Sequence, residues 1–239
     1  IATLDRLVPR LGLACYRIAL KRAAEDLLDA YVGTDAGHRV MSGQIERGAA
    51  SRLYSVVMVA DLRGFTRFAD ETVGEDVLAS LNETLGDLAD IVDAHKGDVL
   101  KFLGDGFLAI FSLEGRDPEA VCAEALAAAE EMCAANGRLN AARGAGGKPP
   151  LVVDVALHLG EVMYGNVGSN RRLDFTVIGP AVNEAARIEA LCTPLGEQIL
   201  VSESFAAASG AKLRSVGTHQ LRGVARSQEL FTVAAVAGG

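Results

Sequence analysis

The sequence contains no tryptophan, and aromatic residues make up only 5% of its 239 positions. A platform for stacking single-stranded bases is therefore not expected. Basic charge is also in deficit. Lys and Arg total 23 against 31 Asp and Glu, a formal net charge of −8. An acidic chain lacks the field that draws nucleic acid or an anionic membrane surface, so neither is expected as a partner. No apolar run approaches the ~18 residues of a membrane span. The four cysteines, Cys15, Cys122, Cys133 and Cys192, are far apart and form no CxxC pair. They read as reduced thiols packed as small apolar residues in a cytoplasmic protein. Ile1 in place of Met is expected of a piece of a longer protein, with any upstream regulatory domain outside it.

What is present is a large apolar fraction, 50% of the residues. That is enough for a core, and the length suits one large domain with an appendage at ~150 residues per domain. Residues 3–32 carry apolar positions at helical spacing. The Gly- and charge-rich stretch Tyr31 to Ala50 reads as an irregular linker. Residues 1–50 are thus an N-terminal helical arm and linker, and residues 51–239 the main domain.

In that domain, Tyr54 to Ala60 forms a nearly continuous apolar block, as in a strand covered on both faces. Residues 72–95 follow the helical period. Val99 to Leu103 and Phe107 to Phe111 read as strands joined by Gly104-Asp105-Gly106, strong hairpin chemistry. Pro118 opens a helix to about Cys133. Leu151 to Leu157 is a strand, Gly160 to Leu173 a hairpin or long turn, and Asp174 to Ile178 a short extended piece. Ala181 to Leu191 is a helix, and further strands close the chain. The fold class is α+β: a ferredoxin-like βαββαβ core with additional C-terminal strands. Its helices are expected on one sheet face, with the other free for a partner or ligand.

Several polar residues interrupt this pattern. Asp61 ends the first strand and Asp105 sits at a hairpin tip. The topology lays these elements side by side, so the two carboxylates can converge as hard ligands for a pair of divalent ions. Either aspartate alone reads more readily as a turn residue; it is the two together in this topology that point to a site. Gly64, with Phe65 and Thr66 after it, would let the backbone approach a triphosphate at a helix start. Asn183 and Arg187, four apart, share a helix face, where Arg offers a planar fork to phosphate and Asn a bond to ribose. Taken alone, that pair reads more readily as a solvated helix face. Lys101 lies in an otherwise apolar strand and either snorkels to water or enters a polar cavity. The histidines His38, His95, His158 and His219 show no metal-ligand spacing and read as surface or satisfied positions.

Three blocks carry a resemblance. They are Val59-Ala60-Asp61-Leu62-Arg63-Gly64-Phe65-Thr66, Lys101-Phe102-Leu103-Gly104-Asp105-Gly106-Phe107, and Asp174-Phe175-Thr176-Val177-Ile178-Gly179 continuing to Val182-Asn183-Glu184-Ala185-Ala186-Arg187. In this order the chain resembles the catalytic domain of class III nucleotide cyclases over about residues 50–235. The resemblance implies that Asp61, Asp105 and the Leu62 carbonyl bind two divalent cations, Mg²⁺ or Mn²⁺. It implies that Lys101 and Thr176 read the purine, and that Asn183 and Arg187 position the ribose and meet the transition state. Arg222 or Arg226 would hold the terminal phosphates. It also implies a homodimer, since each site takes its metal aspartates from one chain and the other residues from its partner.

Lysine can donate to adenine N1 and the threonine hydroxyl can accept from N6, whereas guanine reverses both demands. ATP is therefore the expected substrate and adenylate cyclase the expected activity. A guanylate cyclase, a non-catalytic nucleotide-sensing dimer and a diguanylate cyclase are the alternatives. Threonine at 176 resembles a subgroup often stimulated by bicarbonate, which makes bicarbonate an expected effector.

Overall fold

A computed structural model describes residues 2–43, 46, 48, 50–169, 172–224 and 226–234. The chain divides into two compact units, Ile1–Ala49 with Asn166–Phe175, and Ala50–Gly165 with Thr176–Gly239.

In the first unit, α1 (Ala2–Val32) runs unbroken through Pro9. Helix α2 (Thr34–Met41) packs against it, with Ala36 and Gly37 buried. The expected irregular linker from Tyr31 is thus helical over much of its length. Gly33 breaks the chain at φ 91°, and an Arg39–Asp35 ion pair one turn apart supports the helix that follows.

The second unit begins with β1 (Ala50–Arg63), followed by α3 (Phe65–Glu71) and α4 (Gly74–Ala94). Strands β2 (Asp98–Phe102) and β3 (Gly106–Ser112) form the hairpin. Helix α5 (Pro118–Ala145) leads to β4 (Val152–Gly168) and β5 (Leu173–Ile178). Then come α6 (Pro180–Glu189), α7 (Cys192–Leu195), β6 (Ile199–Ser202), α8 (Glu203–Ser209), β7 (Leu213–His219) and β8 (Gln228–Val233). The sheet order is β2-β3-β1-β4-β6-β8-β7, with β5 paired to β4. Its first four strands have the ferredoxin-like order and are antiparallel. Strand β6 joins β4 in parallel.

Two elements are longer than the apolar pattern suggests. Helix α5 starts where Asp117 accepts a hydrogen bond from the Ala120 N–H, with Pro118 in the first turn. It continues past Cys133 because its polar residues are docked. Asn136 accepts from the Val153 N–H at 3.0 Å and donates to the Leu151 carbonyl at 2.8 Å. Asn140 accepts from the Leu151 N–H at 2.8 Å. Strand β4 continues through Gly160, which sits opposite Ser55 of β1. Gly160 marks a close approach rather than a turn: a Cβ there would lie 2.8 Å from the Ala181 Cβ. Its absence lets α6 settle on the strand.

Strand residues alternate between two faces. Val56, Met58, Ala60 and Leu62 join Phe107, Phe111, Val155 and Leu157 in the main core with residues of α4, α5 and α8. The other face carries Val57, Val59, Asp61 and Arg63, and it is not left open as expected. Ala156 packs there with Ile188 of α6 and Cys192 of α7 in a smaller core. Helix α6 also contacts β1. The four cysteines are free, and burial pushes the Cys122 thiol up to about 11.

Candidate active site

Asp61 and Asp105 come together at one end of the sheet. Asp61 pairs with Gly106 across β1 and β3, and the Leu62 N–H donates to the Asp105 carbonyl at 3.2 Å. Gly106 makes the approach possible. A Cβ there would collide with the Ala60 carbonyl and sit 2.7 Å from Asp61 Oδ1. Burial, then the charges of Asp105 and Asp154, push the Asp61 carboxyl up to about 6, against a hydrogen bond from the Leu62 backbone. A cleft of about 450 Å³ opens at Asp105, which lines it together with Phe65, Thr66, Leu78, Leu81 and Gly104. Gly64 adopts φ 76° at the start of α3, a left-handed conformation that favours glycine.

These donors fit a hard divalent cation. They are oxygen ligands, and burial with the neighbouring negative charge disfavours the ionised Asp61 carboxylate, a cost that bound positive charge would remove. Among the described residues no group of three or more His, Cys, Asp or Glu side chains is placed to hold a metal. A two-carboxylate set suits Mg²⁺, which is commonly held by one or two carboxylates with substrate phosphates and water completing the shell.

Lys101 reaches the same sheet face through a bulge. Val99 pairs with Ala109, but Lys101 pairs with Leu108, so one extra residue lies between. Leu108 is opposite Val59, on the face of Asp61. Without the bulge Lys101 would share the core side of Val99; bulges commonly re-aim side chains in this way beside active sites. Thr176 of β5 is 3% exposed, and its Oγ1 is buried with no hydrogen-bond partner. Such an orphan hydroxyl in a folded protein calls for an explanation, and a ligand atom is one.

Asn183 is exposed and Arg187 half-buried, one turn apart on α6. The Arg187 guanidinium lies against Gly223: a Cβ there would be 3.5 Å from Nη2. That brings it beside the loop bearing Arg222, which is exposed. Arg226 instead lines a separate pocket of about 440 Å³ with His158, Glu184 and Gln228.

Three residues near the acids were not singled out from sequence. Glu189 of α6 is pushed up to about 7, by burial first and then by Asp61, Asp154 and Asp105. Buried Asp154 forms an ion pair with half-buried Arg63. Asp154 was legible as a lone acid in an apolar strand, the same signal that marked Lys101. His158 corrects the bland reading of the histidines. It is buried, its Nδ1 has no partner, and burial pulls its pKa down against the opposing charge of Glu184. His95, by contrast, pairs with Glu131 at 2.8 Å.

Known proteins are similar to this chain in sequence and architecture. The profile of the adenylate and guanylate cyclase catalytic domain matches residues 51–234. Adenylate cyclase 1 of Rhizobium meliloti (strain 1021) is 30% identical over 202 residues, covering 82% of this chain and 30% of that protein. An adenylate cyclase of Anabaena cylindrica is 36% identical over 164 residues, 67% of this chain and 32% of that protein. The chain thus spans about a third of the length of these curated relatives. The crystal structure of the guanylyl cyclase Cya2 superimposes with TM-score 0.69 at 30% identity, covering 79% of this chain and 96% of that one. The adenylyl cyclase CyaB from P. aeruginosa gives TM-score 0.71 at 25% identity, covering 77% and 95%. Among the described residues no helix is long and apolar enough to cross a membrane. The chain belongs to the adenylate and guanylate cyclase catalytic-domain family.

Proposed function

We infer that this cyclase domain, residues 51–239, is an adenylate cyclase, a phosphorus–oxygen lyase converting ATP to 3′,5′-cyclic AMP and pyrophosphate. The reading rests on one observation: Asp61 and Asp105, 44 positions apart in sequence, come together at one end of the sheet, where Asp105 lines an open cleft. Asp61, Asp105 and the Leu62 carbonyl would hold two divalent cations, Mg²⁺ or Mn²⁺. The chemistry such ions supply is a lowered pKa at the ribose 3′-hydroxyl and neutralised charge on the departing pyrophosphate.

The chain's own residues do the rest. Lys101 Nζ donates to adenine N1, and the orphaned Thr176 Oγ1 accepts from the N6 amine. Guanine would present a donor to lysine, so the pair favours ATP. Asn183 orients the ribose, and Arg187 meets charge growing on the α-phosphoryl oxygens as the 3′-oxygen attacks. Arg222, beside Arg187, is the better placed of the two arginines for the terminal phosphates. The first-turn N–H groups of α3, with no capping side chain, and the Phe65–Thr66 backbone are available to phosphate oxygens.

Helix α6 supports a site shared by two chains. Glu189 faces the acids of its own chain. At 3.6 residues per turn Arg187 points about 160° away from it and Asn183 about 120° away. Those two side chains are directed away from their own Asp61 and Asp105, which leaves them available to the acids of a second copy. A homodimer with two equivalent sites satisfies both directions.

The test is incubation of the purified protein with ATP or GTP plus Mg²⁺ or Mn²⁺, followed by product identification. Cyclic AMP from ATP, with little product from GTP, is expected. Cyclic GMP as main product overturns the purine assignment, and no turnover of either nucleotide points to a sensing module.

A further inference from the structure

Arg63 and Asp154 have no part in the reaction as set out above, yet they flank its cation-binding segment. Asp154 is 2% exposed and stands directly opposite Asp61 in the β1–β4 register. Arg63, two residues after Asp61, reaches diagonally across the same face. Its Nε donates to Asp154 Oδ2 at 3.0 Å and its Nη2 to Oδ1 at 2.6 Å, a two-pronged charge-assisted pair. Nη2 also donates to the Glu197 carbonyl at 3.2 Å. Thr193 Oγ1 donates to Asp154 Oδ2 at 3.0 Å.

The segment Asp61-Leu62-Arg63 is therefore anchored at two points. One is the bond from the central Leu62 N–H to the Asp105 carbonyl; the other is the fork of Arg63 on Asp154. Directly opposed residues on one face of an antiparallel pair have Cβ atoms only ~5 Å apart, and like charges there repel. Arg63 engages both Asp154 oxygens and holds that second carboxylate off Asp61. Asp154 is buried and the Arg63 side chain is 31% exposed; stability alone explains such a pair poorly, because desolvating the acid offsets much of the attraction and apolar replacement of desolvated pairs is often neutral.

We propose that the Arg63–Asp154 pair is a positioning device that aims the Asp61 carboxylate and the Leu62 carbonyl at the bound cations and keeps Asp154 from becoming a competing ligand. It rests on the assignment of Asp61 and Asp105 as the cation-holding acids. Both residues act through the Asp61 segment, so neither is catalytic.

The experiment measures Mn²⁺ binding to the whole chain without nucleotide, from the electron paramagnetic resonance signal of free Mn²⁺, with a thermal melt of every variant. The variants are Asp154→Asn, Arg63→Met and the double change Arg63→Met with Asp154→Leu. The double change removes both charges, so it leaves no unpaired buried ion and is the one expected to melt close to the parent. Disturbing groups that orient metal ligands typically weakens binding 10–100-fold, and about tenfold is expected for whichever variants remain folded. A folded variant that binds Mn²⁺ within about twofold of the parent overturns the proposal. Asp61→Asn separates the two levels. If it binds as well as the parent, or the parent does not bind, the assignment of Asp61 falls and the positioning role with it. If Asp61→Asn abolishes binding while the Arg63 and Asp154 variants keep it, the positioning role alone falls.

Discussion

Replacing Asp105 by Asn should stabilise the metal-free protein while removing its response to metal. The Asp61 carboxyl rises from 3.8 to about 6 on folding. The folded state therefore holds an extra proton through that interval, and the metal-free fold loses stability as pH climbs from about 4 to about 6. At about 1.4 kcal/mol per pKa unit the full shift is about 3 kcal/mol, and the half-exposure of Asp61 reduces it to about 1–2 kcal/mol. Burial is the largest cause and survives the substitution, so relief from the Asp105 charge contributes about 0.5–1 kcal/mol. In a unit of this size that is roughly 2 °C in Tm. Melts in chelator at pH 7.5 should place Asp105→Asn about 2 °C above the parent, with the gap closing near pH 4. Saturating Mn²⁺ should then raise the parent, by about 2.7 kcal/mol at one hundred times its Kd, and leave the variant unmoved. A variant that melts at or below the parent in chelator, or gains as much from Mn²⁺, would refute the claim that these two acids share one electrostatic site.

Arg187→Ala should lower kcat by about 10²–10³, the loss typical of a removed transition-state donor; steady-state kinetics showing near-normal turnover would exclude the role. Thr176→Val removes a buried hydroxyl without a partner, so the metal- and nucleotide-free Tm should hold or rise while KM for ATP increases several-fold; a fall in Tm with KM unchanged would argue for a purely structural threonine. Gly106→Ala places a Cβ against the Ala60 carbonyl; the hairpin must shift, costing about 1–3 kcal/mol by denaturant titration together with the Mn²⁺ response.

The parts of this fold that were legible in the sequence are those where one apolar period dominates. The β1 block, the Gly104–Gly106 hairpin and the period of α4 each pointed to one local structure, and their order gave the βαββαβ core. Other features depend on partners remote in sequence. The second half of α5 is held by Asn136 and Asn140 against the start of β4, where a periodicity argument sees only lost apolar character. Gly160 looked like a turn because a glycine required for close approach by α6 is indistinguishable in sequence from one required for φ. The placement of Lys101 needed the β2 bulge, which side-chain alternation cannot show. Asp154 and Glu189 acquire meaning only from what they face, whereas the motif acids were visible because their local turn chemistry was unusual.

Mixing two inactive variants tests the shared-site account most directly. Asp61→Asn and Arg187→Ala each disable both sites of their own homodimer. In a mixed dimer both lesions fall in one site and the other site is intact. With equal amounts and free exchange, half the dimers are mixed and each has one working site, so about a quarter of the parent's cyclic AMP production should return. Activity that stays at the sum of the two variants, in a mixture shown to have exchanged subunits, would mean that each chain builds its site alone.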